Sequence, residues 1–122
     1  MTTGALIMDD KRPLLVRVRE FLCNVDAKMP VDRVLLFGST AKGKRRGESD
    51  VDLIVVSKGF SGVHELERTG MLLDLWPYVE ELEILAYTPE EFSQVKGRFM
   101  MKKILAYAVD FTPKKNVACA RE

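Results

Sequence analysis

Short apolar runs in the sequence predict its strands. Residues 31–37, 51–56 and 82–87 are each rich in valine, leucine or isoleucine and are bounded by polar or glycine-bearing segments. Such runs are typical of buried strands, because a strand that is covered on both faces has no polar face. Residues 108–111 predict a further, short edge strand.

Apolar residues at helical spacing predict helices around these strands. Residues 14–25 carry apolar side chains at this spacing with charged residues between them, which indicates an amphipathic helix that Pro30 closes. Residues 63–76 and 99–107 predict two more helices. Another begins at residues 88–91, TPEE, which supply a threonine N-cap, a proline at N1 and a glutamate at N3.

The order of these elements predicts an α/β (α+β) fold. The elements follow one another in the order helix, strand, strand, helix, strand, helix, helix. This order suits a small mixed β-sheet flanked by helices. The hydrophobic content of 47% is enough for a modest core. No repeat or linker interrupts the pattern, so residues 1–122 are expected to form a single domain with a core of about 12–112 and flexible polar ends.

Composition and charge exclude some classes of partner. The 122 residues carry a formal net charge of +1, so no global basic field indicates nucleic acid. No apolar run approaches the roughly 20 residues that span a bilayer, and no membrane association is predicted. The two cysteines, Cys23 and Cys119, lack C-x-x-C spacing and predict free thiols in a reducing cytoplasm.

Residues 37–53 allow two phosphate-binding interpretations, of which a P-loop is the first. Gly38, Gly43 and Lys44 nearly match the spacing of that motif. However, Arg45 stands where the motif needs a serine or threonine to bind magnesium. Residues 46–49 are also a poor start for the helix that would have to follow. The sequence therefore disfavours a P-loop.

The second interpretation is a metal site built on a pair of aspartates. Asp50 and Asp52 are two residues apart, so in a strand their side chains point the same way, with Cα atoms about 6.6 Å apart. Two carboxylates at this spacing can bracket divalent ions, and Mg²⁺ prefers oxygen ligands. Gly38 permits close approach of a phosphate to the backbone, and Ser39 adds hydrogen-bond donors.

The combination of these two segments resembles the signature of a known superfamily. FGSTAKG at residues 37–43, followed by SDVDL at residues 49–53, is similar to the motif of the nucleotidyltransferases with the DNA polymerase beta-like fold. The resemblance covers roughly residues 12–112. The small size is typical of the minimal nucleotidyltransferase branch, abbreviated MNT.

The resemblance implies a set of site residues. Catalytic and metal-binding roles for two Mg²⁺ ions fall on Asp50, Asp52 and Glu83. Nucleotide-binding roles fall on Gly38, Ser39, Lys42 and Ser49. Glu83 stands where the superfamily usually has aspartate, and Lys42 where it often has arginine. Glu81 shares the face of Glu83 by strand alternation and is interpreted as a solvated side chain.

The resemblance also implies an activity. We expect transfer of a nucleoside monophosphate, AMP from ATP, to an acceptor hydroxyl with release of pyrophosphate. Minimal members are similar to antitoxins that adenylylate or cover a helical HEPN-type toxin, so the partner is expected to be a HEPN protein, and a second copy of the chain is another candidate.

The main alternative is a binding module that neutralises its helical partner by contact, with weak or absent transfer. Glu83 and Lys42, the two departures from the family pattern, favour this alternative. Action on an aminoglycoside-type small molecule is disfavoured, because little room for an acceptor-shaping domain remains after Phe111.

Overall fold

The computed structural model of the protein describes residues 12–38 and 51–113, which form a sheet with helices on both faces. The α-helices of these residues are α1 (Leu14–Lys28), α2 (Glu65–Leu73), α3 (Pro89–Val95) and α4 (Phe99–Ala106). The strands are β1 (Arg33–Phe37), β2 (Val51–Val56), β3 (Leu82–Tyr87) and β4 (Val109–Asp110), and a 3₁₀ helix spans Lys58–Phe60.

The sheet is mixed, as the sequence predicts. Its strand order is β3-β2-β1-β4. β2 runs parallel to β3, whereas β1 pairs antiparallel with both β2 and β4. The parallel pair needs a crossover, and the connection that contains α2 supplies it. The α/β (α+β) class that the pattern of elements predicts is therefore confirmed.

β2 is covered on both faces. Val51, Leu53 and Val55 belong to the core on one side of the sheet, and Ile54 and Val56 to the core on the other. All five are at most 2% exposed. Asp52 alone in this strand is half-buried, so the single acid interrupts an otherwise fully apolar run.

The larger core lies between one face of the sheet and the helices α1 and α2, which cover this face. α1 contributes a stripe of buried side chains at helical spacing: Leu14, Val18, Phe21, Leu22 and Val25. The ring of Phe21 meets that of Trp76 edge-on, with ring centroids 5.2 Å apart. Trp76 also donates its indole N–H to the backbone carbonyl of Glu80, 2.8 Å away, which fixes the segment after α2 against α1.

A buried ion pair also fixes α1 to the segment before β3. The guanidinium of Arg17 donates to both carboxylate oxygens of Glu80, at 2.8 and 3.0 Å. The two side chains are only 8% and 9% exposed. In such a site the charges must neutralise each other, because an unpaired buried charge is strongly unfavourable.

The second core lies on the opposite face, under α3 and α4. Phe92 of α3 and Met101 of α4 pack there against the even-numbered residues Ile54 and Val56 of β2. Tyr87 is part of this cluster, and burial raises the pKa of its hydroxyl.

A second ion pair joins α2 to the start of α3. Thr88 and Glu91 form the capping box that the sequence predicts. Arg68 of α2 donates to both carboxylate oxygens of Glu91, at 2.6 and 3.1 Å, and to the carbonyl of Ala86 on β3. The hydrogen bond from Arg68 lowers the pKa of Glu91 to about 2.

Two further findings concern the described residues. Among the described residues no helix is long and apolar enough to cross a membrane. Cys23 of α1 is disulfide-bonded, so the expectation of a free thiol is wrong at this position. The second cysteine, Cys119, lies outside the described residues.

Candidate functional site

Three adjacent strands bring Phe37, Asp52 and Glu83 into one row. Phe37 lies opposite Asp52 in the antiparallel pair of β1 and β2. Asp52 lies opposite Glu83 in the parallel pair of β2 and β3. Neighbouring strands are about 4.8 Å apart, and residues in register point to the same face. The two acids are therefore neighbours on the face that α3 and α4 cover.

The row lies at one end of an apolar surface. The next residues on the same face of the three strands are Leu35, Ile54 and Leu85, which belong to the second core. Leu35 and Ile54 are buried and Leu85 is half-buried, and their packing holds the strands in place directly beside the acids. Asp52 is half-buried and Glu83 is exposed, so the pair lies at the boundary between the core and solvent. A carboxylate pair at such a boundary is open to a charged ligand.

Gly38 closes the site on the side of β1. Its φ is +81°, a left-handed conformation that favours glycine. A Cβ atom at this position would lie 2.3 Å from Oδ2 of Asp52, which is closer than any real contact. The backbone of Gly38 and the carboxylate of Asp52 therefore lie directly against each other. The roles of these two residues in binding phosphate and metal stay predictions.

The backbone on either side of the acids is also paired. The N–H of Val51 donates to the carbonyl of Glu81 at 2.8 Å, so the parallel ladder starts one residue before Asp52. Glu81 itself is exposed, in agreement with its interpretation as a solvated side chain. Since β2 is in register with β3 from its first residue, the position of Asp52 beside Glu83 is firmly set.

Four of the predicted site residues lie outside the described part of the chain: Ser39, Lys42, Ser49 and Asp50. The pairing of Asp50 with Asp52 therefore stays a prediction, as do the phosphate contacts of the other three. Within residues 12–38 and 51–113 no three histidine, cysteine or acidic side chains come together as a metal site. The described residues supply two carboxylates of the proposed set, on Asp52 and Glu83.

The sequence interpretation missed one aromatic residue near the acids. Phe37 lies in the same row as Asp52 and Glu83, and strand alternation from Leu35 is the signal that could have placed it on their face.

Comparison with solved structures supports the fold. The crystal structure of a "putative nucleotidyltransferase" from Sulfolobus solfataricus is similar, with a TM-score of 0.61 and 22% sequence identity. The match covers 84% of this chain and 83% of the other. At this identity the likeness shows a shared fold and not a shared activity.

Comparison with known sequences supports the family. A search among curated proteins gave no match. The model of the nucleotidyltransferase domain family matches residues 15–121, which is most of the chain and includes both the Gly38 corner and the strands that carry the acids. The protein therefore belongs to the nucleotidyltransferase domain family.

Proposed function

We propose that the protein transfers AMP from ATP to an acceptor hydroxyl and releases pyrophosphate. The observation that carries this proposal is the position of Asp52, which lies beside Glu83 on the next strand and directly against the backbone of Gly38. A glycine corner can receive phosphate, and an adjacent carboxylate pair can receive cations.

The triphosphate would lie against the Gly38 corner. The absence of a side chain at Gly38 leaves the backbone accessible, and the neighbouring Ser39 offers a hydroxyl and an amide N–H. Lys42 and Ser49, which the family motif includes, are proposed to make further phosphate contacts. Lysine replaces the arginine that is common at this position. It would act as a point charge, without the two parallel hydrogen bonds that a planar guanidinium can donate.

The donor set suits magnesium. Carboxylate oxygens are hard ligands, and Mg²⁺ is usually held by one or two carboxylates together with substrate phosphates and water. Asp52 and Glu83, with Asp50, are proposed to hold two Mg²⁺ ions. When bound, the ions would neutralise the charge of the phosphates and of the attacking oxygen.

The protein's own groups would do the remaining work. The acceptor oxygen forms a bond to the α-phosphorus, while the bond from this phosphorus to the bridging oxygen of pyrophosphate breaks. The proton of the acceptor hydroxyl passes to Glu83, whose exposed carboxylate can reach an incoming group. Rate enhancement would come mainly from positioning, because Asp52 and Glu83 lie in register on adjacent strands of one sheet.

The acceptor is proposed to be a protein. The described residues form the sheet and its covering helices and contain no separate acceptor-binding subdomain. A partner or a second copy of the chain would therefore supply the acceptor. From the resemblance to minimal nucleotidyltransferases, we propose a HEPN-type helical protein, with this chain as the antitoxin. A cytoplasmic location stays a prediction.

A second candidate function is neutralisation of the partner by contact. The exposure of Glu83 favours it, because a glutamate on a solvent-exposed strand position is less firmly held than an aspartate. In this case the acids would be dispensable for binding, and the protein would act as a cover over the partner's surface.

Label transfer distinguishes the two functions. We would incubate the protein with ATP labelled at the α-phosphate, Mg²⁺ and a HEPN-type partner, and compare the wild type with Asp52→Asn and Glu83→Gln. Glu81→Gln is the matched control, since Glu81 is an exposed acid two residues from Glu83. Label on the partner that both site variants lose and the control keeps supports the enzyme. If the protein acts by contact, the partner stays unlabelled. Neutralisation of the partner that survives in both site variants therefore supports the contact function.

A further inference from the structure

Charge is distributed unevenly along the second half of the chain. Residues 59–91 contain eight acidic residues and one basic residue, Arg68, which is buried and bound to Glu91. Residues 92–109 contain four basic residues and no acidic one. The formal net charge of +1 therefore combines segments of opposite charge. Each of these two segments carries a helix with exposed apolar side chains.

The basic segment presents an apolar and cationic surface on α4. Phe99 and Met100 are 69% and 66% exposed, whereas the next residue, Met101, is buried in the second core. Lys102 and Lys103 are exposed and follow Phe99 by three and four residues, which is one helical turn along the same side. The ammonium nitrogen of Lys103 lies 4.8 Å from the centroid of the Phe99 ring. We call Phe99, Met100, Lys102 and Lys103 the α4 surface.

The acidic segment presents an apolar and anionic surface on α2. Leu66 is 77% exposed and lies between Glu65 and Glu67, which are also exposed. Leu72, on another side of this helix, is buried in the larger core. We call Glu65, Leu66 and Glu67 the α2 surface. Like the α4 surface it has an apolar centre, but its charge is opposite.

The two surfaces cannot meet within one chain. They lie on opposite faces of the sheet, because α2 packs on the larger core and α4 on the second core. Two copies of the chain can bring them together. The helices are also similar in length, since nine residues of α2 and eight of α4 extend about 13.5 and 12 Å at 1.5 Å per residue.

We infer that the α4 surface of one copy docks on the α2 surface of a second copy. Phe99 and Met100 pack against Leu66, and the lysines of one copy face the glutamates of the other. An apolar centre with a charged rim is the usual composition of a protein interface. Because the two surfaces differ, each copy keeps one of them for a further neighbour, and the copies form a ring or an open chain. This association does not depend on the proposed function.

The small size of the two surfaces predicts weak, salt-dependent association. Two short helices bury less than the roughly 1,200–2,000 Å² of a stable interface, so the assembly forms only at high protein concentration. The charged rim is exposed to ions, and the Debye length falls from about 10 Å at 0.1 M salt to about 3 Å at 1 M. Association is therefore expected to be stronger at the lower salt concentration.

Sedimentation velocity of the full chain over a range of concentrations tests this inference by charge reversal. Lys102→Glu with Lys103→Glu, or Glu65→Lys with Glu67→Lys, puts like charges opposite each other. We expect either pair to weaken association by at least about tenfold. The variant with all four changes has opposite charges again at the original net charge of +1, and it is expected to associate like the wild type.

Two controls separate the interface from general effects of charge and hydrophobicity. Lys28→Glu with Lys58→Glu changes the net charge as much as the α4 reversal, at exposed lysines outside both surfaces, and should keep association. Phe99→Ala should weaken association by itself, and it tests the same contact if a charge variant does not fold. Leu15→Ala removes an exposed apolar side chain from α1 and should have no effect.

Three results would overturn the inference. The first is a wild-type protein that stays monomeric at high concentration and 0.1 M salt, and the second is undiminished association in both reversed pairs. The third is a monomeric four-residue variant whose circular dichroism shows that it is folded. None of these results bears on nucleotide transfer, so each would leave the proposed function intact.

Discussion

Gly38 and Asp52 are in such close contact that no side chain fits between them. A Cβ atom on Gly38 would lie 2.3 Å from Oδ2 of Asp52 and 3.2 Å from its Cγ. The φ of Gly38 is +81°, a left-handed conformation that favours glycine. The glycine of the motif thus allows a close approach between the first and second strands, in addition to any contact with phosphate.

Substitution of this glycine should abolish function and not only destabilise the fold. In Gly38→Ala the new methyl group must displace the carboxylate of Asp52, so nucleotide transfer and Mg²⁺-dependent ATP binding are expected to be lost. Strain at the positive φ costs a further ~1–2 kcal/mol of folding free energy. Transfer assays and urea unfolding measure the two effects separately.

Gly62 supplies the matched control for this experiment. Its φ is +77°, but no atom beyond Gly62 and its two chain neighbours lies within 4 Å of the position that a Cβ would take. Gly62→Ala is therefore expected to lose similar stability through backbone strain and to keep full transfer activity. Equal losses of activity in the two variants would show that strain, and not the contact with Asp52, is responsible.

Metal affinity should depend on Glu83 and not on Glu81. Glu83 lies opposite Asp52 in the parallel ladder, whereas Glu81 precedes β3. Glu83→Gln keeps the size of the side chain and removes its charge. We expect this variant to bind Mn²⁺ at least about 10- to 100-fold more weakly than the wild type. A loss of this size already follows from mutation of residues that only hydrogen-bond to a metal ligand.

Calorimetric titration with Mn²⁺ checks this expectation without an assay of activity. Glu81→Gln should bind the ion like the wild type. If both variants bind Mn²⁺ equally well, Glu83 is not a ligand, and the proposed base role of its carboxylate loses its structural basis.

The sequence predicts strands well here because their apolar runs have sharp ends. The bounds of β2 and β3 are those expected from the pattern, since Ser57 and Thr88 follow them directly. α2 is shorter than expected. Leu75 and Trp76 follow its end because Trp76 packs against Phe21 and bonds to the carbonyl of Glu80, which are tertiary contacts.

The pairing of the site residues could be predicted only in part. The sequence places Asp52 and Glu83 each at a strand position, but not on neighbouring strands in register. That relationship follows from the strand order β3-β2-β1-β4, which no local pattern encodes. The ion pair of Arg17 with Glu80 was missed for the same reason, since the two residues are 63 positions apart.

The ion pair of Glu91 with Arg68 should make stability depend on acid pH. The pKa of Glu91 is lowered from 4.5 to about 2, so the folded state favours the ionised form. Its contribution is fully present above pH 4.5 and is lost as the pH falls toward 2. The difference in unfolding free energy between wild type and Glu91→Gln should therefore be constant near neutral pH and shrink between pH 4.5 and 2.

Urea unfolding at pH 7, 4 and 2.5 measures this difference. Glu90→Gln is the control, because Glu90 is the exposed neighbour of Glu91 in the same helical turn. It should change the free energy of unfolding little at any of these pH values. A Glu91→Gln difference that grows as the pH falls would have the wrong sign for this ion pair.

The buried pair of Arg17 and Glu80 should behave differently from the exposed pair of Arg12 and Glu20. Both pairs have a nitrogen–oxygen distance of 2.8 Å, but the side chains are 8% and 9% exposed in the first and 44% and 38% in the second. Arg17→Met leaves the charge of Glu80 buried and uncompensated, and should cost about 3–5 kcal/mol of unfolding free energy. Glu20→Gln should cost only about 0–1 kcal/mol, because solvent screens the exposed pair.

A double-mutant cycle shows whether burial of an unpaired charge is the cause. Arg17→Met with Glu80→Leu removes both charges, so it should lose less stability than the sum of the two single variants. Urea unfolding at pH 7 gives the free energies of all four proteins. If the two losses instead add, the stability of this region does not come from the charge pair. It then comes from the packing of the Arg17 side chain over Tyr78, whose ring centroid lies 4.9 Å from the guanidinium carbon.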